Sequence, residues 1–148
     1  TGNIIISDSK LRSIFQKRIT ALGLSPNSFG LLMAQAAYSP EGAVWLDSLI
    51  RYLNKNRDLF DRAIIQIPGL KSMPLEATYL AWVDFSDTNL PLKKILERVE
   101  KRAKIAANHG TTFGTGGNQH LRFNFATPVS NLKEAIRRLS EAFADLME

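Results

Sequence analysis

QHLRFNFA, residues 119–126, alternates as a half-buried β-strand does: Leu121, Phe123 and Phe125 fall on one face, Arg122 and Asn124 on the other. A second stretch, TYLAWVDF at 78–85, is rich in strand-forming residues and apolar on both faces, as suits a central strand. Together they predict the heart of a small, mostly antiparallel sheet, with Ile105–Ala107 as a third short strand. Thr127-Pro128 breaks the strand that precedes it.

Working outward, the rest is mostly helical. Ser39-Pro40-Glu41 supplies a cap, a first-turn proline and an early carboxylate. The long helix that follows places Leu46, Leu49, Ile50, Leu53, Phe60, Ile64 and Ile67 on one side, and Pro68-Gly69 ends it. Pro91 opens a charged amphipathic helix burying Leu92, Ile95, Leu96 and Val99. Asn131 with Glu134 predicts a capped last helix whose core face is Leu132, Ile136, Leu139, Phe143 and Leu146. The long helix and the last helix are expected to cover the sheet. Nearer the start, Leu11, Ile14, Phe15, Ile19 and Leu22 recur at helical spacing until Gly23. Ser25-Pro26 leads into a helix, Phe29–Tyr38, so apolar all round that deep packing is expected. Ile4–Ile6 reads as a buried strand, yet it has no neighbour in sequence to pair with. Parallel-sheet strands arrive in repeated βα units, and only a last unit is present. The chain thus reads as starting in the middle of an α/β fold.

Composition narrows the function classes. The 148 residues suffice for a proper core, and 45% apolar with 22% charged residues is ordinary globular usage. No stretch reads as a membrane span, and the opening residues do not read as a signal peptide. The absence of cysteine excludes disulfides, thiolate metal sites and cysteine nucleophiles, and fits a cytoplasmic location. A net charge of +5 raises the question of nucleic acid. However, Lys10, Arg12, Lys17, Arg18 and the basic residues between Lys93 and Lys104 alternate with apolar stripes, which is the pattern of solvated helix faces. No nucleic-acid partner is expected, although a stand-alone basic binding module is the rival from another class.

Candidate chemistry is sparse. Ser7-Asp8-Ser9-Lys10 matches S-x-x-K but falls where a helix cap is expected. Gly110, Gly114, Gly116 and Gly117 fit no phosphate-loop pattern and read as a flexible connection that could lie near a ligand. His109 and His120 lack metal-ligand spacing, so no metal is expected. Asp84 and Asp87 suit a turn. Arg122 stands apart, because a guanidinium in mid-strand needs a partner or a solvated cleft. Spacing alone leaves two readings open: an internal salt bridge, or recognition of a carboxylate or phosphate by its bidentate fork.

Several segments share one likeness. They are Ser25–Gly30, Ala34–Tyr38, Trp45-Leu46-Asp47, Tyr52-Leu53, Asn56-Arg57-Asp58, Pro68-Gly69, EATYLAW at 76–82 and LRFNFATP at 121–128. In this order they resemble class I/II aminotransferase-like, fold-type I enzymes that use pyridoxal phosphate. The likeness is strongest to the cystathionine β-lyase (MalY/PatB) branch, which commonly has Glu-Gly where this chain has Glu76-Ala77. The resemblance implies that residues 1–38 are the end of a large cofactor-binding domain with an inter-domain helix, and that 39–148 are a C-terminal small domain. It implies that Arg122 grips the α-carboxylate of an amino-acid substrate. It also implies that the cofactor lysine and other cofactor contacts lie in a large domain outside this chain, in a homodimeric C–S lyase or aminotransferase. No catalytic or cofactor-binding residue is then expected within the chain, and alone it should be inactive.

Overall fold

The computed structural model describes residues 2–146. The chain divides into two compact units, one ending at Leu49 and the other beginning at Ile50. Five α-helices are seen among the described residues: α1 (Ser9–Ala21), α2 (Ser28–Ala37), α3 (Pro40–Ile65), α4 (Leu92–Leu96) and α5 (Val129–Ala142). The strands are β1 (Lys71–Ser72), β2 (Leu80–Asp84), β3 (Asn108–His109) and β4 (His120–Asn124). They form one four-stranded sheet in the order β1-β2-β4-β3, with every pairing antiparallel. This is the α+β arrangement expected for the small domain of a fold-type I enzyme. Among the described residues no helix is long and apolar enough to cross a membrane.

The alternation of β4 is realised as read. Leu121, Phe123 and Phe125 are buried beside Ala81, Val83 and Phe85 of the β2 segment. Phe60 and Ile64 from α3, Ile95 and Val99, and Leu132, Leu139 and Phe143 complete this core. Phe123 lies between Phe60 and Phe85, with ring centroids 5.6 and 6.4 Å away, and Phe85 meets Phe143 at 5.7 Å. Each buried phenylalanine contributes about 1.5–3 kcal/mol through lost water contact, and each ring pair about 0.5–1.5 more. Two polar side chains are buried among the described residues, Thr88 and Asn56. Asn56 of α3 is 1% exposed, and its Nδ2 donates to the carbonyls of Phe125 and Thr127, both at 2.9 Å. It ties down the chain just after β4, alongside the last backbone bond to the β2 side, from the Phe125 N–H to the Tyr79 carbonyl at 3.1 Å.

The third strand lies later than expected, at Asn108–His109 rather than Ile105–Ala107. The cause is upstream. Helix α4 continues into a π-helical segment, Glu97–Arg102, and Lys104 then takes a left-handed conformation with φ 54°. The Ile105 N–H is spent on the Val99 carbonyl at 3.0 Å, so pairing with β4 begins only at Asn108. Strand β1 was not anticipated. It follows Gly69, whose φ of 81° admits the turn, and a Cβ there would lie 2.7 Å from the Thr88 nitrogen. The Asn131–Glu134 cap does not form. The N–H groups of Asn131 and Leu132 already bond back to the Pro128 carbonyl, which places Asn131 inside the first turn of α5. The Tyr52 hydroxyl accepts from the Val129 N–H at 2.7 Å and satisfies one of the open donors instead.

In the first unit, Asp8 caps α1 by accepting from the Leu11 N–H at 2.7 Å, and Asn27 caps α2 by accepting from Gly30 at the same distance. The expected deep packing of α2 is not found: no residue of α1 or α2 is buried, and Phe29 and Met33 are 78% and 72% exposed. Ile4–Ile6, expected to lack pairing partners within this chain, forms no strand, and Ile5 is 94% exposed. A strand needs a neighbour for its backbone groups, and no described strand pairs with this segment. Instead the Arg12 guanidinium donates to the carbonyls of Ile6 and Ser7.

Candidate functional site

The β-sheet's second face carries the candidate site. Antiparallel register sets Trp82 of β2 and Asn108 of β3 on either side of Arg122 in β4. Because side chains alternate along a strand, all three point away from the phenylalanine core. The half-buried Arg122 donates from Nη2 to the Asn108 Oδ1 at 3.0 Å. Its guanidinium carbon lies 4.4 Å from the centroid of the Phe113 ring, a cation–π distance. Its Nε is closed off from solvent and has no acceptor among the described residues. None of the ion pairs formed among those residues involves Arg122.

The glycines of the 110–117 loop explain how Phe113 arrives there. Gly110 and Gly117 pack backbone against backbone, and a Cβ on either would drive into the other's carbonyl oxygen. The pinch closes the loop at its base, and a short 3-10 turn, Gly110–Phe113, carries the phenylalanine. Gly114 and Gly116, with φ of 117° and 88°, return the chain to β4. This stretch is a built loop and not the flexible connection that its composition suggested. Trp82 supports the ring from the neighbouring strand, edge-on to Phe113 at 5.7 Å and stacked on His120 at 5.4 Å.

The remaining candidates have structural partners. Asp8 is a helix cap, and Lys10 is exposed. His109 Nε2 meets the Glu100 carboxylate. His120 Nδ1 lies 2.8 Å from the Asn118 carbonyl, which fixes that nitrogen as the donor, and Nε2 lies 3.7 Å from Asp84. Burial pushes the Asp84 carboxyl up, but the Ser86 hydrogen bonds and the charges of His120 and Lys71 together leave it below its ordinary value. Asp87 pairs with Lys71. No group of three His, Cys, Asp or Glu able to hold a metal occurs among the described residues. Asn108 and Phe113 had not been singled out. A β3 placed one register later would have found Asn108, whereas Phe113 carries no local signal, since its position depends on the glycine pinch.

A guanidinium held against an aromatic face, with one neutral neighbour and no carboxylate partner among the described residues, has the charge and fork geometry that suit a planar anion. Known proteins share this fold. The chain is 34% identical over 143 residues to the cystathionine β-lyase PatB of Bacillus subtilis, covering 95% of this chain and 37% of that one. It is 36% identical over 114 residues to a cystathionine β-lyase of Corynebacterium glutamicum, covering 75% and 29%. Cystalysin from Treponema denticola, whose crystal structure contains pyridoxal 5'-phosphate, superposes with a TM-score of 0.85 at 32% identity over 97% of this chain and 37% of that one. No family profile matches. The chain belongs to the aminotransferase-like, fold-type I pyridoxal-phosphate enzymes, in the branch of the cystathionine β-lyases. It spans a little over one third of the length of PatB and of cystalysin.

Proposed function

We propose that this chain is the C-terminal, substrate-gripping part of a longer pyridoxal-phosphate enzyme that cleaves a C–S bond, and that Arg122 binds the α-carboxylate of its amino-acid substrate. The observation that carries the reading is that Arg122 has no acidic partner among the described residues. Its one hydrogen bond goes to a neutral amide and its ring contact is uncharged. Such a guanidinium keeps its full charge for an incoming carboxylate. The internal salt-bridge alternative needs an aspartate or glutamate that this geometry does not supply.

The residues present do not make a site for the cofactor. Every lysine from Lys10 to Lys133 is exposed, whereas a lysine that carries pyridoxal phosphate has to be desolvated and held. In the longer enzyme the cofactor supplies an electron sink, and its lysine and phosphate cradle come from the remainder. The part assigned to Arg122 is orientation, fixing the substrate by its carboxylate so that the bond to be broken is held at the productive angle. A lyase is favoured over an aminotransferase because PatB and the Corynebacterium glutamicum relative, at 34% and 36% identity, are both cystathionine β-lyases, while the relatives named aspartate or aspartate/prephenate aminotransferases are 24–28% identical. Homodimer assembly and a cytoplasmic setting complete the proposal.

The decisive experiment is Arg122→Ala in the longer enzyme, assayed for pyruvate released from cystathionine. Catalytic efficiency should fall by roughly 2–4 kcal/mol in ΔΔG‡, as loss of a charge-assisted bidentate contact does, with cofactor content and thermal midpoint unchanged. Loss of stability with full activity in the folded fraction would return Arg122 to a structural role. Amino transfer to a 2-oxo acid without pyruvate release would overturn the lyase assignment.

A further inference from the structure

We propose that Asn108 and Phe113 are positioning residues that hold the Arg122 guanidinium, still fully charged, in one orientation towards a substrate carboxylate. This inference rests on the reading of Arg122 given above. A long, flexible arginine side chain gives up rotamer entropy when it is fixed. A site that fixes it beforehand spares the substrate that cost. Two contacts from different elements do the fixing. Asn108, directly opposite Arg122 in the β3–β4 register, accepts from Nη2 at 3.0 Å and sets the rotation of the fork. Phe113 lies 4.4 Å from the guanidinium carbon and sets the plane. The Gly110–Gly117 pinch and the Trp82 edge contact hold Phe113 in turn.

The identity of residue 108 is the sharper part. An aspartate there could accept the same hydrogen bond, but it would neutralise the guanidinium and compete with the substrate. The asparagine orients without neutralising. Its Nδ2 stands next to the oxygen that meets Arg122, which places a neutral donor beside the approach of a carboxylate. Phe113 follows the same logic, since a ring face attracts the cation without offering a counter-charge.

The test uses Asn108→Asp, Phe113→Leu and Phe113→Tyr in the longer enzyme, with Arg122→Ala as reference, measuring thermal midpoint, KM and kcat. Asn108→Asp should raise the thermal midpoint through a new ion pair, yet raise KM at least about tenfold by occupying the fork, with kcat changed less than about twofold. Phe113→Leu should raise KM about three- to tenfold, whereas Phe113→Tyr, which keeps the ring face, should stay within about twofold of the parent. A stabilised Asn108→Asp enzyme with unchanged KM would show that residue 108 serves structure alone. If that variant does not fold, the Phe113 pair decides: equal KM for leucine and tyrosine overturns the proposal. Should Arg122→Ala itself leave catalytic efficiency intact, it is the carboxylate role of Arg122 that has failed.

Discussion

Asn56 and Arg122 are both polar residues set among apolar ones, and opposite physical arguments account for them. Asn56 has both Nδ2 hydrogens satisfied by protein carbonyls and is closed to solvent. Removing it takes one of two donors from the buried Phe125 carbonyl, which keeps the Thr127 N–H at 2.9 Å, and takes the amide donor from the part-buried Thr127 carbonyl. Asn56→Ala should therefore cost about 2–3 kcal/mol, read as a lower midpoint in urea unfolding with an unchanged slope. The isosteric Asn56→Asp should cost at least as much at neutral pH, because it faces those carbonyls with a charge. Arg122 was legible in the sequence because alternation in LRFNFA left a cation on the side opposite three core residues. Asn56 lies on a helix whose apolar stripe explains its neighbours, and nothing local says that its amide meets a chain end at residues 125 and 127. The pattern shows where a polar residue is, but partners distant in sequence decide what it does.

At the scale of elements, the glycine pinch is the part that reading by composition misjudged. Glycines at 110, 114, 116 and 117 suggest freedom, yet two of them exist because backbone meets backbone there and two because φ is positive. Gly117→Ala should therefore act as a packing defect. The Gly110 carbonyl has to move away, and Phe113 moves with it. A loss of about 1–3 kcal/mol is expected, together with altered near-ultraviolet circular dichroism from the Trp82–Phe113 pair. Gly2→Ala, at a glycine with open space around its Cβ position, is the silent control. β2, β4, the core face of α5 and the later part of the α3 stripe were legible because a period of two or of 3.6 residues survives in each, whereas Leu46 and Ile50 of that stripe are exposed. β3 lies later than Ile105–Ala107 because the chain leaves the π-helical segment through the left-handed Lys104 with the Ile105 N–H still held by the Val99 carbonyl. The cap at Asn131 was misread because Pro128 had already started the helix. α2 was read as packed because its sequence is apolar, and a chain's own hydropathy does not say where the covering surface comes from.

For the whole molecule, acid sensitivity follows from carboxyls held below their ordinary values. Besides Asp84, the Arg98 fork does this to Asp145, Lys94 to Glu97 and Arg137 to Glu134. A depressed value in the folded state means that the unfolded chain takes up protons first as pH falls. The contribution is thus complete above about pH 5 and fades below about pH 4, as pH descends through the folded-state values. The thermal midpoint should be flat from about pH 7 to 5 and decline below that, and Asp145→Asn should shallow the decline. A midpoint that rises on acidification would contradict these pairings. The clasp at Asn56 also bears on time. It joins positions 69 and 71 residues apart, so its two bonds form only after much of the intervening chain has found its place. Stopped-flow refolding of Asn56→Ala should then run at nearly the parental rate while unfolding accelerates, giving a φ-value near zero. The clasp would govern the lifetime of the native state and leave the speed of reaching it almost untouched.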